Sequence, residues 1–186
     1  ERIETPDNDF FDTDWSARGC DRLAVILHGM ESSSQVPHIR GMVRALNNAG
    51  WDCAALNCRG CGGEPNRKLA SCHAGFTDDI RYFIRNKTEN YKSLFLVGFS
   101  LGGNAVLKYL GEGNLPEKLA GGAALSVPVD LRACALELSK PNNSFYMKRF
   151  LRKHRKKYAA KEHMLPENIN FAEFGKLKTF RELDDL

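Results

Sequence analysis

The sequence predicts an α/β fold, a mostly parallel sheet with helices on both faces. Three observations carry that expectation. Leu23-Ala24-Val25-Ile26-Leu27 and Leu94-Phe95-Leu96-Val97 are short apolar runs with no polar interruption, as strands covered on both faces require. Stretches of helical composition alternate with such runs at the spacing of wound strand-helix units. With 42% of its 186 residues hydrophobic, the chain can bury one substantial core.

Taken in order, Leu23 to Leu27 reads as a strand, followed by a loop rich in serine (Ser32, Ser33, Ser34) and a helix from about His38 to Ala49 that Gly50 ends. Asp52 to Asn57 gives the next strand. The loop after it holds Gly60, Gly62, Gly63 and Pro65, and a helix opens near Thr77, whose hydroxyl is expected to cap it. Leu94 to Phe99 is a strand, Asn104 to Leu110 a helix stopping at Gly111, and Ala120 to Val127 a further strand. Beyond Asp130, read as the N-cap of a helix starting at Leu131, strand patterning gives way to charged helical sequence through Lys161. The expected organisation is therefore a sheet core over residues 1–130 and a helical cap segment over 131–186, covering the carboxyl edge of the sheet.

Composition narrows the class of function. No apolar run approaches the ~18 residues of a membrane span, and Glu1-Arg2-Ile3-Glu4-Thr5-Pro6 lacks the basic-then-apolar order of a secretion signal, so a soluble, cytoplasmic protein is expected. That start also reads as opening in mid-sequence. The six cysteines (Cys20, Cys53, Cys58, Cys61, Cys72, Cys134) form no disulfide framework and are expected as thiols. Cys58-Arg59-Gly60-Cys61 is formally a C-x-x-C, but no second pair or suitably spaced His accompanies it, and the plainer reading puts Cys53 in the core and Cys61 in a turn. Neither metal nor cofactor is expected. The net charge of +4 is concentrated at Lys148, Arg149, Arg152, Lys153, Arg155, Lys156 and Lys157, while Met147, Phe150, Leu151, His154 and Tyr158 recur at helical spacing between them. The plain reading is a solvated helix packed on its apolar stripe. The functional one is weak attraction of Lys148 to Lys157 to an anionic membrane surface. No aromatic-interleaved basic motif points to nucleic acid.

Gly98-Phe99-Ser100-Leu101-Gly102 carries the chemistry. It places Ser100 where a buried strand turns sharply into a helix, a strained position that lifts the hydroxyl from the sheet and demands that residues two before and two after be almost free of side chain. The plain alternative is a glycine-rich turn in which Ser100 only caps the helix. A second segment, His28-Gly29-Met30, ends the first apolar strand. An acyl-transfer site needs two preorganised donors for its oxyanion, and the backbone N–H groups of Met30 and Leu101 are the candidates.

These blocks, together with His38-Ile39-Arg40-Gly41, the stretch from Asn57 to Asn66, Gly103-Asn104 and Ser126-Val127-Pro128-Val129-Asp130-Leu131, resemble the YheT-like branch of the α/β-hydrolase superfamily over about residues 9 to 186. The resemblance implies a carboxylester hydrolase acting on small-molecule or lipid-like esters, with some relatives acting on acylglycerols or transferring acyl groups to alcohols. It also implies a helical cap after the strand ending near Ser126. By that carry-over Ser100 matches the nucleophile, Met30 and Leu101 the oxyanion hole, and Gly98 and Gly102 the elbow glycines. The acid and base of the triad do not map, since the family order is Ser, acid, His. His154 and His163 follow Ser100 but fall in the charged helical segment, His28 and His73 precede it, and Asp130 is more simply a cap. The chain is thus expected to be a fragment lacking its acid and base, nearly inactive by itself. The alternative from another class is a non-catalytic scaffold binding lipid or a partner.

Overall fold

A computed structural model describes residues 1–71, 73–167, 169 and 171–184. Cys72 and Asp185, a predicted thiol and a predicted cap residue, lie outside the described residues. The chain divides into two compact units, residues 1–67 with 71–127 and residues 68–70 with 128–186.

The first unit is built on one sheet of β1 (Arg2–Glu4), β2 (Phe10–Ser16), β3 (Arg22–Leu27), β4 (Asp52–Asn57), β5 (Ser93–Phe99) and β6 (Leu119–Leu125), in the order β1-β2-β4-β3-β5-β6. β4, β3, β5 and β6 run parallel, and β1 and β2 extend the sheet antiparallel beyond β4. Three helices, α1 (Pro37–Asn48), α2 (Asp78–Lys87) and α3 (Leu101–Gly111), connect the parallel strands.

Alternation along each buried strand explains the unbroken apolar runs. Leu23, Val25 and Leu27 of β3 and Leu94 and Leu96 of β5 point to one face, where Ile80, Phe83 and Ile84 of α2 and Ala105, Val106 and Tyr109 of α3 cover them. Ala24 and Ile26 of β3, Cys53 and Ala55 of β4 and Val97 of β5 point to the other, against Ile39, Met42, Val43 and Leu46 of α1. Helices therefore stand on both faces, as expected. Each large side chain so buried contributes about 1.5–3 kcal/mol.

β1 and β2 were not foreseen. Their backbone pairs Arg2 with Asp12 and Glu4 with Phe10, then Asp12 with Asn57 and Ser16 with Cys53. Thr77 also departs from expectation. It immediately precedes α2, but its own backbone is already helical (φ −106°, ψ −8°), which turns the side chain from the capping position, and its hydroxyl donates to the Glu112 carboxylate at 2.9 Å. Asp130 does cap, accepting the Ala133 N–H at 2.8 Å. It opens the second unit's α4 (Leu131–Leu138), followed by α5 (Ser144–Ala159) and α6 (Phe180–Asp184), with 3-10 turns at Pro141–Asn143, Glu162–Met164 and Phe171–Gly175. The α5 stripe packs as predicted: Phe150 and His154 meet the Phe180 ring, and Tyr158 meets Phe174 at 5.2 Å. Among the described residues no helix is long and apolar enough to cross a membrane.

A buried ionic cluster fastens the N-terminal strands to the parallel core. Arg59, 4% exposed, grips Asp79 at the start of α2 with two hydrogen bonds of 3.0 and 2.8 Å, and reaches Asp7 at 2.7 Å and Asp9 at 3.1 Å. Its guanidinium also lies over the Phe76 ring. Asp9 is fully buried and accepts further bonds from Asn66 Nδ2 and the Arg67 N–H. Burial pushes its carboxyl up, but these donors outweigh burial and hold it below the usual carboxylate range. Removing the guanidinium leaves buried carboxylates without their counter-charge. Arg59→Ala should therefore lose about 3–5 kcal/mol of stability, read as a lower urea midpoint with an unchanged m-value.

Candidate active site

Ser100 joins β5 to α3 with φ 51° and ψ −120°, a left-handed backbone that a residue with a side chain adopts only under constraint. The constraint comes from both sides. Its N–H donates to the Leu125 carbonyl at 2.8 Å, continuing the β5–β6 ladder, while its own carbonyl accepts from Gly103 N–H at 2.9 Å and Asn104 N–H at 3.2 Å, starting the helix. The side chain makes no capping bond, so the plain reading of Ser100 as an N-cap does not hold. Ser100 is exposed, and its hydroxyl has no hydrogen-bond partner among the described residues.

The flanking glycines are where the backbone closes on itself. A Cβ on Gly98 would lie 2.4 Å from the Gly102 carbonyl oxygen and 2.6 Å from Gly103 Cα. A Cβ on Gly102 would lie 2.4 Å from the His28 carbonyl oxygen and 2.7 Å from that of Leu27. Such separations exclude any side chain, so both elbow glycines are steric necessities. Gly29 completes the approach: a Cβ there would sit 3.1 Å from Ser100 Cβ and 3.6 Å from Ser100 Oγ. The loop leaving β3 is therefore laid directly against the serine, with Met30 next in the chain.

Among the described residues, neither the Met30 N–H nor the Leu101 N–H has a hydrogen-bond partner. Leu101 is the first residue of α3, where the leading amides of a helix are unpaired and carry the positive end of its dipole. Two amides without partners thus stand one residue on from Ser100 and one residue on from Gly29, in separate chain segments.

Polar contacts that sequence reasoning missed hold the Met30 loop. His28 is buried, with Nε2 accepting the Cys58 N–H at 3.1 Å; the proton then belongs on Nδ1, which donates to the Gly29 carbonyl at 2.7 Å. Asn57 Oδ1 accepts the Ser34 N–H at 2.8 Å. Asp14 on β2 accepts from the Ser34 hydroxyl, from Gln35 Nε2 at 2.8 Å and from Asn57 Nδ2 at 3.3 Å. The Ser34 hydroxyl, above all, holds the Asp14 carboxyl below its usual range. A strand-ending His with a buried amide opposite has no sequence signature, and Asp14 lies 20 residues from the serine it meets.

The other candidates have surroundings of their own. His73 accepts the Gly75 N–H through Nδ1 at 3.1 Å and packs on Phe76, and His38 packs on Phe99 at 5.1 Å. His154 and His163 belong to the second unit, and the Asp130 carboxylate is engaged at α4. Cys58 is a free thiol at one end of a turn closed by the Cys61 N–H to Cys58 carbonyl bond of 2.8 Å, and Cys53 fills the core.

A family model for the alpha/beta hydrolase fold matches residues 24–162. The chain is 36% identical over its whole length to the protein YheT of Escherichia coli (strain K12), covering 57% of that protein. It is 33% identical over 63% of its length to medium-chain fatty acid ethyl ester synthase/esterase 2 of Saccharomyces cerevisiae, covering 27% of it. It therefore spans well under two thirds of either relative. The solved Pyrococcus furiosus esterase Pf2001 superposes with a TM-score of 0.64 at 22% identity, covering 94% of this chain and 63% of that one, a likeness of fold.

The elbow sterics are testable without any activity. Gly102→Ala should cost at least about 1–3 kcal/mol, because the carbonyls its Cβ would strike belong to a buried strand end. Gly111→Ala, with nothing within 4 Å of its Cβ position, should leave the melting temperature nearly unchanged.

Proposed function

The chain belongs to the alpha/beta hydrolase fold family, and from that premise we propose that the whole protein is a serine carboxylester hydrolase acting through an acyl-enzyme on Ser100. The observation that carries this reading is the strained, exposed Ser100, against which the loop at Gly29 is closely laid. A turn serving only architecture would not need φ 51° at a residue with a side chain.

In this reading Ser100 Oγ attacks the ester carbonyl as its proton passes to a general base. The negative oxygen of the tetrahedral intermediate receives hydrogen bonds from the Met30 and Leu101 N–H groups, each worth about 2.7–4 kcal/mol in the transition state. Collapse expels the alcohol and leaves the acyl group on Oγ. Water then releases the acid, or an alcohol takes the acyl group, an option supported by the synthase/esterase name of the yeast relative. His28 orients the oxyanion loop, its Nε2 accepting the Cys58 N–H. The family order places the acid and the base after the nucleophile, and no residue of this chain is assigned to either role. Thiols at Cys20, Cys53, Cys58 and Cys134 fit a cytoplasmic setting. The cations of α5 supply a weak secondary attraction to anionic membrane surface.

Turnover of p-nitrophenyl esters of increasing acyl length by the whole protein tests the assignment. Ser100→Ala should lose on the order of 10⁴-fold or more in kcat with an unchanged melting temperature. Turnover retained within tenfold would move the nucleophile to another residue.

A further inference from the structure

The second unit contains a groove of about 400 Å³ that the proposed chemistry does not use. Its volume falls in the range of small-molecule sites. Leu138 of α4, Met147 and Leu151 of α5, and Phe174 and Leu177 beyond it give the groove apolar walls. Lys148, Arg152 and Arg155, from successive turns of α5, and Lys178 bring four cations to the same groove. None of these four has an ion-pair partner among the described residues. Helix α5 carries no acidic residue at all, so its seven cations are not neutralised within the helix. Gly175 leaves room for the Arg155 guanidinium, which would lie 3.1 Å from a Cβ at that position.

Such a site has a definite complement. An apolar trough alone would accept any oily chain, and a cationic surface alone any anion. Together they select a molecule with an alkyl chain along Met147, Leu151 and Phe174 and an oxyanion in reach of Arg152 and Arg155, where planar guanidinium forks match a carboxylate or phosphate. We propose that the groove lined by Met147, Leu151, Arg152 and Arg155 binds a single-chain anionic amphiphile, an acyl chain ending in a carboxylate or a phosphate. The hydrolase reading bears on this only as the source of the ligand: ester hydrolysis at Ser100 would release a fatty acid of this form.

Calorimetric titration of the full chain with monomeric dodecanoate reads the site, with dodecyl phosphate, dodecanol and dodecyltrimethylammonium as comparisons. Both anions should bind one per chain, and the tighter of the two names the head group. Affinity should rise up to about fourfold per added CH2 along a fatty-acid series. Arg152→Gln with Arg155→Gln should weaken dodecanoate about tenfold or more. Lys148→Gln, a single exposed change, should weaken it less and serves if the double variant melts early. Ser100→Ala should bind as the parent does. Absence of ester turnover in the parent protein, with dodecanoate binding intact, would therefore remove the hydrolase reading and leave the groove. Equal binding of dodecanol, undiminished binding in the double variant, binding lost in Ser100→Ala, or association with anionic vesicles alone would each overturn the proposal.

Discussion

The first unit's candidate site depends on one close approach, that of the α3 backbone to the end of β3. Gly102 lies so near the Leu27 and His28 carbonyls that not even a methyl group fits between them. Parallel pairing of β3 with β5, Leu27 opposite Gly98, brings the two strand ends level. The glycines then let the chain after β5 fold back over its neighbour instead of clearing it. From that contact follow the left-handed φ of Ser100, the exposure of its hydroxyl and the proximity of Gly29 and Met30. Strain at one residue is tolerated because the strand ladder on one side and the helix start on the other fix both its ends.

A second layer of polar contacts steadies what that approach assembles. In the proposed reaction the oxyanion donors must stand in place before charge develops, and the loop carrying Met30 is held accordingly. His28 ties its beginning to the Cys58 amide, and Asn57 and Asp14 hold it further on at Ser34 and Gln35. Asp14 belongs to the antiparallel β2, and Arg59 and Asp9 clamp the turn that leads into that strand. The antiparallel edge thus contributes to the site without supplying any reacting group.

What could be read from the sequence was what is encoded locally. Leu23 to Leu27 of β3 and Leu94 to Val97 of β5 are covered on both faces and therefore apolar without a break, α3 carries its glycines in its first turn, and Asp130 stands three residues before the amide it caps. The elbow was legible for the same reason: its five residues are consecutive. β2 hides because Asp12, Asp14 and Ser16 interrupt Phe10, Phe11 and Trp15, giving neither a clean alternation nor an apolar run. The Arg59 cluster joins residues about fifty positions apart, and nothing local marks Asp7 or Asp9 as its partners. Thr77 shows the opposite failure, a good capping residue in the right place whose backbone is already helical. In the second unit, the periodicity of Met147, Phe150, Leu151, His154 and Tyr158 announced an apolar stripe, but not the groove that α4 and the turn at Phe171–Gly175 close around part of it.

A crystal structure of the whole protein after reaction with a fluorophosphonate tests the central claim most directly, because the phosphonyl group mimics the tetrahedral intermediate. The account predicts phosphorus bonded to Ser100 Oγ, with its non-ester oxygen about 2.7–3.1 Å from both the Met30 and Leu101 amide nitrogens. A phosphonate on another residue, or one on Ser100 with its oxygen turned from these amides, would contradict it.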